Sequence, residues 1–112
     1  MKFPHLNATP EKLERWIDGP VEGFKIRLRL ITRVDLEAVP VPMRAKAKYI
    51  AERFFLGFDG KALDANGVEV EDSVANRTEM LFDRDFGLFV ERKLLDHAIW
   101  LEEGKDDSGS GS

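Results

Sequence analysis

Phe24-Lys25-Ile26-Arg27-Leu28-Arg29-Leu30-Ile31-Thr32-Arg33 is the stretch that decides the fold class. Phe24, Ile26, Leu28 and Leu30 point one way, while Lys25, Arg27, Arg29 and Ile31 point the other. Period-two alternation of this kind marks a half-buried strand, so a strand is expected over 24–33. Its outer face is cationic, and basic side chains there also discourage unwanted edge pairing. A second strand signal lies downstream. Asn66-Gly67 separates Lys61-Ala62-Leu63-Asp64-Ala65 from Val68-Glu69-Val70-Glu71. Asn-Gly favours a two-residue type I′ turn, because both central positions need positive φ. That register sets Leu63 opposite Val70 and puts Leu63, Ala65, Val68 and Val70 on one face. The expectation is an α+β fold. A small antiparallel sheet, made of strand 24–33 and the 61–71 hairpin, is packed with three to four helices.

The helices are read from caps and spacing. Thr9-Pro10-Glu11 opens a short one over 10–18, placing Leu13, Trp16 and Ile17 on one side until Gly19-Pro20 ends it. Val39-Pro40-Val41-Pro42 is an elbow, since each Pro biases its predecessor to extended geometry. A helix over 42–56 buries Met43, Ala47, Ile50, Ala51 and Phe54 and leaves a weaker stripe of Ala45, Tyr49 and Leu56. Asp72-Ser73 caps a helix over 74–82. Asp83 or Asp85 caps a long one over 86–102, with Phe86, Val90, Leu94, His97 and Leu101 on one stripe and Leu88, Leu95 and Ile99 on another. Phe24, Ile26, Leu28, Leu30, Ile50, Phe54, Leu63, Val70, Leu81, Phe86, Val90 and Leu94 are the expected core.

The 112 residues suit one domain, expected over 1–103. The 104–112 tail reads as disordered, with closing Ser-Gly repeats that resemble an appended linker. No Cys is present, which excludes a disulfide scaffold, a Cys-ligated zinc site and a cysteine nucleophile. No apolar run approaches the ~18 residues that span a bilayer, and Met1-Lys2-Phe3-Pro4-His5 does not open a secretory signal. A reducing cytoplasm is the expected setting. The net charge of −4 is unevenly spread. Residues 24–53 carry eight basic side chains against three acidic, and residues 54–112 carry six against fourteen. Overall acidity argues against a nucleic-acid binder, and the asymmetry leaves homo-oligomerisation open.

Catalytic signals are weak. His5 falls near the N-terminus and His97 on an apolar stripe, where a packed structural role is expected. Phosphate loops, nucleophile elbows and two-His motifs are missing. A calcium loop with Gly67 at position six would put Ala62 first and Ser73 twelfth, neither a carboxylate. No catalytic residue, metal site or cofactor is expected.

The order of features is similar to a known family. A strand ending in Leu30-Ile31-Thr32-Arg33 leads to a basic helix that runs into Phe54-Phe55-Leu56-Gly57-Phe58-Asp59-Gly60. Then come Leu63-Asp64-Ala65-Asn66-Gly67-Val68, the segment Ser73-Val74-Ala75-Asn76-Arg77-Thr78-Glu79-Met80-Leu81, and a final apolar helix. Over roughly residues 24–102 this resembles the tail assembly chaperones of lambda-like, long-tailed bacteriophages. Phe58 stands where many relatives have Trp. The resemblance implies a non-enzymatic protein that binds the tape measure protein and helps bring tail tube subunits to it. It would act in the host cytoplasm and be absent from the mature virion.

The residues point independently to a binding role. Two helices carry a second apolar stripe, and surplus apolar area on a small domain marks an interaction surface. Tyr49, Leu56, Leu88, Leu95, Ile99 and Trp100 are the expected apolar contacts, with Arg27 and Arg29 supplying charge complementarity. The alternative is a small acidic inhibitor or adaptor whose acidic 64–107 region mimics nucleic-acid phosphates.

Overall fold

The computed structural model describes residues 1–101. Three antiparallel strands, β1 (Glu14–Asp18), β2 (Lys25–Arg29) and β3 (Phe55–Asp59), form a sheet in the order β1-β2-β3. Helices α1 (Arg33–Ala38), α2 (Met43–Arg53), α3 (Val74–Met80), α4 (Arg84–Leu95) and α5 (Ala98–Leu101) accompany it. The α+β class therefore stands. No helix among the described residues is long and apolar enough to cross a membrane. The expected 104–112 tail and the end of the 86–102 helix lie outside the described residues.

β2 is the centre of the fold. Ile26 and Leu28 are fully buried, Phe24 and Leu30 nearly so, as the alternation requires. Its partners differ from expectation. Residues 10–18 are not one helix: Pro10–Leu13 make a single 3₁₀ turn, and Glu14–Asp18 pair with β2 from Glu14↔Arg29 to Asp18↔Lys25. Thr9-Pro10-Glu11 does start a helical turn, and the Glu11 carboxyl is held below its ordinary value by its own backbone N–H and by Thr9. The long strand partner wins from residue 14 onward. The other neighbour of β2 is Phe55–Asp59, not the 61–71 hairpin. The register slips between Arg27 and Leu28, so that Arg27 faces Gly57 while Leu28 faces Phe55. Leu56 is the extra residue of this bulge. The bulge lets Phe55 and Phe58, three apart, both turn inward, where Phe24 stacks on Phe58 (5.7 Å) and Phe86 packs on Phe55 (5.7 Å).

The hairpin forms apart from the sheet and one residue out of the expected register. Leu63 bridges to Glu69, and Val70 N–H donates to Ala62 O (2.8 Å). The Asp64 carboxylate accepts from the N–H groups of Asn66 (2.8 Å) and Val68 (2.9 Å), so the loop is a three-residue one with Gly67 at φ +79°. Only Gly67 takes positive φ there, not Asn66. The shift removes Leu63 from the core and leaves it 58% exposed.

The strand reading of 24–33 runs too far. Thr32 begins α1 instead, in a capping box. Its hydroxyl accepts from Asp35 N–H, and the Asp35 carboxylate accepts from Thr32 N–H (2.9 Å). Ser73 and Asp83 cap α3 and α4 as expected, each accepting an N–H three residues on. α2 stops at Arg53 so that β3 can start, and Met43 stays exposed. Of the remaining expected core, Phe86 and Val70 are half-buried against it. The long C-terminal helix breaks at Asp96-His97, which leaves His97 exposed rather than packed.

Gly87 sits where α4 passes the end of α3. A Cβ there would lie 2.5 Å from Leu81 O. A mid-helix Gly→Ala change ordinarily gains about 1 kcal/mol. Here the clash reverses the sign, and Gly87→Ala is expected to lose about 1–2 kcal/mol in urea unfolding. A stabilised variant would show that the two backbones part easily.

Candidate docking groove

Thr32 turns the chain out of β2 into α1, and the elbow of residues 39–42 turns it back into α2. Because both Pro residues forbid a helix through the elbow, the chain is extended at Val39 and again at Pro42 between the two helices. α4 packs on the other side. The result is a groove of about 390 Å³ lined by Ile31, Leu36, Val39, Pro40, Val41, Ile50, Leu94 and Leu95. Its polar lining is one ion pair, Lys46 Nζ to Glu91 Oε2 (3.3 Å), which ties α2 to α4. A second recess of about 570 Å³ shares Ile31, Leu36, Leu94 and Leu95 and continues past Leu30, Arg33, Val34, His5 and His97. The shared residues make the two recesses one surface. Leu36 is 44% exposed, Leu95 62% and Val41 93%, each from a different element. What the surface offers is aliphatic area with a charged pair at one side, which suits the side chains of an apolar peptide segment.

The structure brings only some of the expected contact residues here. Leu95 lies at the join of the two recesses. Leu88 is exposed two turns away along α4, on the face that carries Glu91 and Leu95. Tyr49 is half-buried and holds α1 to α2: its hydroxyl donates to Asp35 O (3.5 Å), and its ring lies beside Phe54 and under Arg53. Leu56 is half-buried in the β3 bulge. Ile99 is half-buried, its carbonyl accepting from Arg15 Nη1 (2.9 Å). Trp100 is corrected outright. At 1% exposure it belongs to the core and has no surface to offer another chain. Arg27 and Arg29 lie on the outer sheet face, away from the groove lining. Arg27 is bonded to the Glu14 carboxylate, and Arg29 has no ion pair among the described residues.

The residues that sequence reasoning missed are Leu36, Val39, Pro40 and Val41. The elbow was legible, and two valines in a Pro-locked segment cannot fold back into a helix stripe. That was the available signal. Among the described residues no cluster of three potential metal ligands occurs. The chain matches no protein-family model, no curated protein and no solved structure.

Proposed function

We propose that this chain works by binding, taking an apolar helical segment of another polypeptide into the groove between α1, the elbow, α2 and α4. The observation that carries the reading is the convergence of exposed Leu36, Val41 and Leu95 around one aliphatic recess. Contiguous exposed apolar area on a small domain marks an interaction site, and a groove between helices receives anchors spaced along a partner helix. The resemblance to phage tail assembly chaperones supplies the partner class. The segment would belong to the tape measure protein, which the chain keeps in solution in the host cytoplasm while tail tube subunits are recruited. The chain would then be left out of the virion.

The test is co-expression with an aggregation-prone tape measure fragment. The wild-type chain is expected to raise the fragment's soluble yield, and Leu95→Asp or Leu36→Asp to abolish the gain, with binding at least ~10-fold weaker. Both side chains are exposed, so folding stability should change by no more than about 0.5 kcal/mol. Full solubilisation by a folded Leu95→Asp variant would exclude the groove.

The phosphate-mimic reading has less support. Within the described part of the 64–107 region, Asp64 closes its own hairpin, Asp72 pairs with Arg77, Asp83 caps α4, Asp85 pairs with Arg84 and Asp96 accepts from Ala98 N–H, which leaves Glu69, Glu71 and Glu79 as exposed acids without such a bond.

A further inference from the structure

The two edges of the sheet are treated differently. Along β3 the outward groups are closed by side chains: Arg77 Nε donates to Phe55 O (2.8 Å), and the Asp72 carboxylate accepts from Phe58 N–H (3.3 Å). Along β1 they are open. Leu30 N–H donates to Leu13 O (2.7 Å) at one end of the β1–β2 pair, and Gly19 N–H donates to Phe24 O (2.7 Å) at the other. This alternation makes Leu13, Arg15, Ile17 and Gly19 the bonded positions. The main chains of Glu14, Trp16 and Asp18 therefore face away from β2. Glu14 N–H is taken by Glu11 O. The N–H and C=O of Trp16 and Asp18 and the C=O of Glu14 have no partner among the described residues. On the solvent side of this edge stand the side chains of Glu14, Trp16 and Asp18, with Trp16 48% exposed.

We infer that the β1 edge accepts one extended segment of a partner protein as a fourth strand, with basic residues two positions either side of a central apolar one. This surface is independent of the groove. Main-chain pairing supplies the affinity and alternate side chains the choice of partner. The acids decide which partner. A second copy pairing antiparallel about Trp16 would set Glu14 opposite Asp18 twice, and like charges directly opposite are unfavourable. Asp18, which has no ion pair among the described residues, and the Oε2 oxygen of Glu14, whose Oε1 already accepts from Arg27, would face Lys or Arg on a basic strand, whichever way it runs. Trp16 sits between them, opposite the apolar residue.

The probe is a synthetic peptide, Thr-Thr-Lys-Thr-Val-Thr-Lys-Thr-Thr, with a counterpart in which both Lys are Glu. The Lys peptide is expected to shift the amide resonances of residues 14–18 and to protect Trp16 and Asp18 N–H from exchange. The Glu peptide should bind at least ~10-fold more weakly. Trp16→Pro removes an outward N–H but no bond of the sheet, so the fold should persist while peptide binding falls at least ~10-fold. Trp16→Val keeps the N–H and should stay within ~5-fold of wild type. Asp18→Lys should lower the Lys-to-Glu preference by at least ~10-fold, and it decides the question alone if Trp16→Pro does not fold. Unchanged amides with the Lys peptide, equal binding of both peptides, or a concentration-dependent dimer lost in Trp16→Pro would each overturn the inference.

Discussion

Arg77→Ala is expected to destabilise the domain by about 3–5 kcal/mol, since two buried carbonyls each lose a donor at about 1–3 kcal/mol. Arg77 is 8% exposed and ties three parts of the chain together. Nη2 donates to Ala51 O (3.1 Å), one of the carbonyls that the last turn of α2 cannot satisfy itself. Nε donates to Phe55 O at the β3 edge (2.8 Å), and Nη1 pairs with the Asp72 carboxylate. Truncation strands two buried carbonyls and leaves Asp72 without its cation. Domains of this size have only about 5–15 kcal/mol of stability to lose. The melting temperature should drop by at least ~10 °C. Arg77→Lys should recover little, because a single ammonium cannot span three acceptors in the plane of a fork. Urea denaturation measures it. A loss under about 1 kcal/mol would place Arg77 with ordinary surface ion pairs instead.

Trp100→Ala is the second large effect, about 3 kcal/mol in the same assay, at the low end of the large-to-small range because α5 is a single turn. Trp100 is 1% exposed, with the Arg15 guanidinium 5.6 Å from its ring centroid. Its Nε1–H has no acceptor among the described residues. Trp100→Phe should therefore cost under about 1 kcal/mol, since losing an unsatisfied buried donor offsets most of the lost volume. A docking tryptophan would behave in the opposite way. Trp100→Ala would then spare stability and weaken partner binding.

Where local chemistry and tertiary pairing agreed, the fold was legible. The alternation of 24–30 identified the central strand, and Ser73 and Asp83 marked two helix starts. The failures have physical causes. Leu13, Trp16 and Ile17 are spaced as on a helix, yet β1 pairs Trp16 and Ile17 with a strand that no window around residue 14 reveals, and Leu13 O accepts from Leu30 N–H beyond its end. The β3 bulge breaks period two, so Phe55 and Phe58 read as a helix end. The Asp64 side chain, through its two N–H bonds, displaced the Asn-Gly turn by one position. Thr32-x-x-Asp35 was a readable capping box, overrun by a strand pattern carried four residues too far. The candidate groove was half visible: Leu95 stood out on its helix, but Leu36 and Val41 gained their neighbours only when the elbow turned the chain back into α2 with α4 alongside.

The Arg77 network has a further consequence. The arm of residues 60–71 leaves β3 and returns at Asp72, where the guanidinium reties the chain to the strand it just left. Doubling such a loop costs only ~0.6 kcal/mol in closure entropy. Its tip, Asn66-Gly67, is therefore the position in this chain best suited to grafted sequence or to a protease nick, with both halves kept together by the knot below.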